Sequence, residues 1–146
     1  MDRLNRLVDR LRDSGFRMTP QRMAILRILL ESTTHPTAEQ VYAQVKPIFP
    51  MTSLATVYKT VALLKEMHEI LEINLGDSGS RYDGNNTLPH AHLICVQCSQ
   101  IIDSNSVDLS QLAKNQAAQT GYKIDHQRLD FFGICPACQT SRIPQI

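Results

Sequence analysis

His90-Ala91-His92-Leu93-Ile94-Cys95-Val96-Gln97-Cys98 is the stretch from which the rest of the chain is read, and Cys135-Pro136-Ala137-Cys138 completes it near the C-terminus. All four cysteines of the 146 residues fall in these two C-x-x-C pairs. Each pair wraps one side of a tetrahedral cation, and the second pair closes the shell. A Cys₄ set with no open position is the pattern of a structural zinc site (Cys95, Cys98, Cys135, Cys138) and not of a catalytic one. A redox dithiol is the rival use of C-x-x-C, and the presence of two pairs favours zinc. The same short segment carries a different kind of ligand, His90-x-His92, with Asp103 five residues beyond Cys98. Histidines at i and i+2 on a strand share one face. One ion is expected to hold the fold and another to be read.

Outward from this stretch, residues 92–96 and 100–103 read as two strands, with Cys95 and Cys98 bracketing the turn between them. Asp108 or Ser106 starts a helix over 109–120, which Gly121 ends. Tyr122 to Ile134 is apolar and alternating, and reads as a third strand delivering Cys135. So small an α+β domain buries little on its own, and is expected to need zinc and a partner subunit. Gly84-Asn85-Asn86-Thr87-Leu88-Pro89 is polar and turn-rich and reads as a connection between domains. The expected division is 1–84, a hinge at 85–90, and 91–146.

The N-terminal part is helical. Leu4, Leu7, Val8 and Leu11 recur at helical spacing over 2–13, and Ser14-Gly15 stops that helix. Thr19-Pro20 is a capping hydroxyl before a first-turn proline. It opens a second helix with Met23, Ile25, Leu26, Ile28, Leu29 and Leu30 on a broad apolar side. Thr37-Ala38-Glu39-Gln40 is a capping box for a third helix that runs toward Pro47. Ser53 caps a fourth, Leu54 to about Glu66, with Leu54, Val57, Val61 and Leu64 inward. Residues 70–75 alternate as a strand, 76–79 turn, and 80–83 begin the return strand. Three helices and a hairpin outline a winged helix-turn-helix, whose recognition helix would enter a major groove. Ser53, Thr56, Tyr58, Lys59 and Thr60 then lie on faces the core does not need, and suit phosphates and base edges. The same residues also suit an ordinary solvated helix face.

Composition limits the alternatives. Hydrophobic residues make up 42% and charged residues 20%, as in ordinary globular proteins. No apolar run reaches the roughly 20 residues of a membrane helix. The charged opening Met1-Asp2-Arg3-Leu4-Asn5-Arg6 lacks a signal-peptide core, so a reducing cytoplasm is expected. Net charge is +1. Residues 1–70 carry ten Lys and Arg against seven Asp and Glu, and the remainder five against seven, an asymmetry too mild to announce a nucleic-acid protein. No nucleophile or general base stands apart from the candidate ligands, so a zinc hydrolase or redox enzyme is not expected. A metal-buffering protein is a further alternative, distinguished by lack of sequence-specific DNA binding.

Four motifs in order, Gly15-Phe16-Arg17-Met18-Thr19-Pro20-Gln21-Arg22, Ala55-Thr56-Val57-Tyr58, His90-x-His92-x-x-Cys95-x-x-Cys98 and Cys135-x-x-Cys138, resemble the ferric uptake regulator family of metal-dependent bacterial repressors over nearly the whole chain. The resemblance implies a homodimer with an N-terminal winged-helix DNA-binding domain, a C-terminal dimerisation domain and a regulatory metal site between them. The partner is a double-stranded operator, expected to be an AT-rich palindrome. By match to family positions the regulatory ligands are His35, Asp83, His90, His92 and Asp103, and Arg17 is the arginine of the minor groove. Three imidazoles and two carboxylates suit Fe²⁺, Mn²⁺ or Zn²⁺ better than thiolates do. Iron sensors of the family typically end this set in glutamate. Asp103 together with Asp83 resembles the peroxide-sensing branch, in which bound Fe²⁺ reacts with hydrogen peroxide and a ligand histidine is oxidised. An iron- or zinc-uptake regulator is the alternative. Pro89 and Ala91 stand where an auxiliary site has His and Asp, so no third site is expected, and His126 and His68 read as surface residues. Lys59 stands where peroxide sensors have asparagine.

Overall fold

The computed structural model describes residues 3–85 and 88–140. The chain divides into two compact units, Met1–Thr87 and Leu88–Ile146. Asp2, Asn86, Thr87 and 141–146, on which parts of the first helix, the hinge and the last domain were expected, lie outside the described residues.

Within the first unit, α1 (Arg3–Asp13), α2 (Pro20–Glu31), α3 (Ala38–Val45) and α4 (Leu54–Glu66) precede a hairpin of β1 (Leu71–Asn74) and β2 (Ser80–Asp83). The capping signals account for three of the starts. Thr19 Oγ1 accepts from Arg22 N–H at 3.2 Å, ahead of Pro20 at the first position of α2. Thr37 Oγ1 accepts from Gln40 N–H at 3.0 Å while Gln40 Oε1 accepts from Thr37 N–H at 2.9 Å, a reciprocal box. Ser53 Oγ accepts from Thr56 N–H at 3.2 Å and opens α4. Each such cap contributes about 1 kcal/mol.

The helices close over one core. Leu7 and Leu11 of α1, Ile25, Leu26 and Leu29 of α2, Val41 and Val45 of α3, and Val57 and Leu64 of α4 are all but fully buried. A side chain of this size contributes about 1.5–3 kcal/mol when buried. Leu54, expected inward, is half-buried. Thr60, expected on a free face, is only 3% exposed. Its hydroxyl donates to the Thr56 carbonyl at 2.8 Å, which lets a polar side chain sit against the core. The strands pair antiparallel from Leu71↔Asp83 to Asn74↔Ser80, around a short 3₁₀ turn over Gly76–Ser78. This hairpin after α2, α3 and α4 is a winged helix-turn-helix.

The second unit has a three-stranded sheet in the order β4-β3-β5. β3 (Ala91–Cys95) pairs antiparallel with β4 (Ile101–Ser104) and parallel with β5 (Asp130–Gly133). α5 (Leu109–Thr120) lies between β4 and β5 in sequence, capped by Asp108 and ended by Gly121 in the left-handed conformation. The parallel pairing follows from this long crossover. The expected strand over 122–134 is corrected here: only Asp130–Gly133 pairs, and Tyr122 and Ile124 are exposed in irregular backbone. Alternation marks which residues could face a core, but a strand exists only where a neighbour accepts its hydrogen bonds. A short helix, α6 (Pro136–Thr140), was not expected. Its start at Pro136 follows the preference of proline for the first helical turn.

The two units differ in how much they bury. In the second, Ala91, Ile94, Cys95, Ile101 and Leu109 are the buried apolar residues among those described, and α5 buries Leu109 alone among its own.

Gly84 follows β2 where α2 comes closest. A Cβ built there would lie 2.4 Å from the Leu29 carbonyl oxygen and 3.1 Å from Ile70 Cγ2. Gly84→Ala is therefore expected to destabilise the first unit by about 1–3 kcal/mol through overpacking, read as a lowered urea midpoint at unchanged m-value.

Candidate metal centres

The sheet delivers the cysteines. β3 and β5 are parallel neighbours with Cys95 opposite Gly133, so Cys95 and Cys135 emerge at the same sheet end. The turn after β3 supplies Cys98 and the start of α6 supplies Cys138. Their four sulfurs lie within 4.8 Å of one another. Zn–S bonds of about 2.3 Å at tetrahedral angles place sulfurs about 3.8 Å apart, and Cys98 Sγ and Cys135 Sγ are separated by 3.7 Å. Cys95 Sγ accepts from the backbone N–H of Cys98 at 3.5 Å and of Cys135 at 3.4 Å. Those two donors lower the Cys95 pKa to about 6. Cys138 is driven the other way, to about 12, by Cys135 beside it and then by burial. One sulfur is held as thiolate while a neighbour resists ionising, and a dication is what allows all four to ionise together. The donor set, its spacing and its backbone N–H partners fit Zn²⁺.

A second set of donors lies on the same sheet. His90 precedes β3, His92 is its second residue, and Asp103 of β4 pairs directly with His92. His90 Nε2 is 3.1 Å and His92 Nε2 3.4 Å from one oxygen, Asp103 Oδ1. The two rings meet edge to face with centroids 4.5 Å apart. Both histidines are buried, while Asp103 is a quarter exposed. His90 Nδ1 donates to the Leu88 carbonyl at 2.5 Å, which leaves its Nε2 lone pair for a ligand. Two imidazoles and one carboxylate form the donor set of Fe²⁺ facial triads, and suit Mn²⁺ and Zn²⁺ as well.

In the first unit, His35 Nε2 is 3.3 Å from Asp83 Oδ2, with both side chains almost fully buried. A carboxylate so deeply buried needs positive charge or hydrogen bonds to remain ionised. Asp83 Oδ1 accepts from Asn85 N–H at 3.1 Å. His35 occupies the left-handed region at φ +55°, a conformation that costs energy and is kept where surrounding contacts enforce it. Those contacts come from β2. Arg81 donates to the carbonyls of Thr34, at 2.8 Å, and His35, and Tyr82 N–H donates to the Pro36 carbonyl at 2.9 Å. Sequence reasoning missed Arg81. An arginine two residues before a candidate ligand is the signal it left.

Of the candidate DNA contacts, Ser53 is an N-cap whose hydroxyl also bonds Thr56 Oγ1 at 3.0 Å. Thr56 and Arg17 line one depression of about 280 Å³ with Thr19, Gln21 and Arg22, and Arg22 donates to the Arg17 carbonyl at 2.7 Å. Arg22 and Gln21 were not singled out, though both stand in the quoted Gly15–Arg22 motif. Tyr58 is exposed, and its hydroxyl donates to Glu39 of α3 at 2.5 Å. That bond raises the Tyr58 pKa and lowers that of Glu39. Lys59 and His126 are exposed.

Comparison with known proteins identifies the family. The ferric uptake regulator family profile matches residues 13–132. The peroxide-responsive repressor PerR of Staphylococcus aureus is 41% identical over 129 residues, covering 88% of this chain and 86% of that one. A structure of PerR from Streptococcus pyogenes, described for peroxide sensing and gene regulation, matches with a TM-score of 0.53 at 34% identity and 95% coverage of both chains. The Helicobacter pylori ferric uptake regulator has the same fold, with a TM-score of 0.80 at 24% identity, covering 96% of this chain and 93% of that one. The chain belongs to the ferric uptake regulator family.

Proposed function

We propose that this protein is a metal-dependent, DNA-binding transcriptional repressor that senses peroxide through a regulatory site built from His35, Asp83, His90, His92 and Asp103. The observation that carries this reading is the pair of half-sites: a buried His35–Asp83 couple in one unit and two imidazoles on one Asp103 oxygen in the other. Each half supplies N and O donors, and neither half alone completes a five-ligand shell. An ion shared by both ties the wing that carries Asp83 to the sheet that carries Asp103. Its occupancy then changes the orientation of α4 relative to DNA. Fe²⁺ held there supplies reactivity toward hydrogen peroxide, whereas Mn²⁺ supplies the same donor geometry without it. The all-aspartate carboxylates and the 41% identity to a peroxide-responsive repressor favour peroxide over iron or zinc as the signal.

Cys95, Cys98, Cys135 and Cys138 hold structural Zn²⁺ and brace the 91–146 dimerisation domain, while 1–84 binds the operator and 85–90 is the hinge. Dimerisation is supported by an apolar groove of about 460 Å³ lined by Leu93, Ile102, Phe131 and Phe132, all exposed in the single chain. Arg17, Ser53, Thr56, Tyr58 and Lys59 face the DNA, an AT-rich palindrome that matches the two-fold of the dimer.

Anaerobic operator binding with Fe²⁺ or Mn²⁺, before and after hydrogen peroxide, tests the reading. The iron form is expected to release DNA with one oxygen gained on a ligand histidine by mass spectrometry, and the manganese form to stay bound. An iron form that stays bound, with unmodified histidines, assigns the protein to metal sensing. Two variants separate the sites. Cys95→Ser is expected to lose the structural zinc and with it the dimer, by metal analysis and sedimentation, since zinc contributes about 10–16 kcal/mol in small zinc domains. Asp103→Ala is expected to keep zinc and dimer but to raise the Mn²⁺ needed for half-maximal DNA binding by about tenfold or more. Identical behaviour of the two variants contradicts the division into two sites.

A further inference from the structure

His92 occupies the central strand of its sheet, and it is flanked on both sides. The register sets His92 of β3 opposite Asp103 of β4 and opposite Asp130 of β5. Directly paired residues project to the same sheet face, so Asp103, His92 and Asp130 form one row across three strands. The imidazole turns one nitrogen to each neighbour: Nε2 lies 3.4 Å from Asp103 Oδ1, and Nδ1 lies 3.6 Å from Asp130 Oδ1. Asp130 is nearly as sheltered as His92, with its side chain 8% exposed. Its other oxygen accepts from Arg128 Nε at 2.5 Å, which anchors the carboxylate from the outside.

We propose that Asp130 is the positioning residue of the regulatory centre, its carboxylate taking the Nδ1–H of His92 so that the Nε2 lone pair faces the ion. This inference rests on the five-ligand reading above. The 3.6 Å separation is just beyond hydrogen-bond range. Ligand histidines characteristically donate their second ring N–H to a carboxylate or a carbonyl, which fixes the tautomer and raises ligand basicity. His90 uses the Leu88 carbonyl for this, and Asp130 stands at the equivalent place behind His92. The two ligand histidines are thus backed unequally, one by a neutral carbonyl and one by a carboxylate.

The test uses the full-length zinc-containing protein. Asp130→Ala is expected to weaken Mn²⁺ binding about 10–100-fold, read by competition with a chromophoric chelator, with zinc content unchanged. ¹⁵N-detected histidine spectra of the protein without regulatory metal are expected to show His92 as the Nδ1–H tautomer in the parent and as Nε2–H in Asp130→Ala. Asp130→Asn keeps an acceptor without charge, and is expected to restore the tautomer but only part of the affinity. Unchanged tautomer and affinity in Asp130→Ala overturn the assignment. Should Asp130→Ala not fold, Asp130→Val, which fills similar space without an acceptor, takes its place, and a parental tautomer and affinity there overturn the assignment equally. His92→Ala distinguishes the two levels. If it binds Mn²⁺ like the parent, the regulatory-site reading itself falls; if it loses Mn²⁺ while Asp130→Ala does not, only the role of Asp130 falls.

Discussion

Four cysteine sulfurs gathered within 4.8 Å of one another cannot all carry charge unless something positive stands among them. The second unit depends on that constraint. Its sheet has three short strands, its helix buries one leucine, and its apolar interior is a handful of residues. Cross-linking the turn after β3 to the start of α6 through zinc joins the two ends of the parallel β3–β5 pair. Parallel pairing is slightly the weaker kind of ladder and closes a long loop. The register of β5 against β3 therefore leans on the cysteines, and that register places Asp130 behind His92. Zinc at the cysteines would thus fix the row of Asp103, His92 and Asp130 without touching it.

The first unit obeys a different logic. Its four helices share a core in which most contacting side chains are buried, and its caps are local and self-sufficient. This solidity allows it to hold a strained element. The turn carrying His35 is stapled by Arg81 and Tyr82 of the strand that ends in Asp83. Asp83 and the staple belong to the same hairpin, so a force on Asp83 is passed to the backbone of His35 with little slack. Glu39 and Tyr58 couple α3 to α4 in a similar way, fixing an exposed ring on the recognition helix by a charge-assisted hydrogen bond.

Much of this was legible because the signals are local. Thr19-Pro20, the Thr37 and Gln40 box, Ser53, and Asp108 with Gly121 each mark a helix boundary through contacts within a few residues. The C-x-x-C pairs likewise announce their chemistry by spacing alone. Features that depend on partners distant in sequence were not legible. Residues 122–128 have the alternation of a strand but lie in no strand, and backbone pairing with β3 begins only at the Leu129 carbonyl, which accepts from His92 N–H at 3.1 Å. Thr60 looked polar and free because its hydrogen bond to the preceding turn is invisible in a pattern of side chains. Asp130 lies 38 positions from His92 and becomes its neighbour only through a parallel register, which periodicity does not encode. Arg81 became visible only when the wing and the turn after α2 were seen together.

The φ of +55° at His35 bears on how such a protein can change over evolutionary time. Left-handed backbone is tolerated by glycine and, among side chains that can bind metal, mainly by asparagine, aspartate and histidine. Glutamate and cysteine gain nothing from that conformation. Under the proposed five-ligand site, single substitutions at this position can therefore exchange an imidazole for a short oxygen donor, but reach a thiolate only by rebuilding the turn and releasing Arg81. The repertoire of ions open to descendants of this sequence is narrowed by main-chain geometry before ligand chemistry is selected at all. Diversification toward softer metals should begin at donors on the sheet, where the backbone is ordinary.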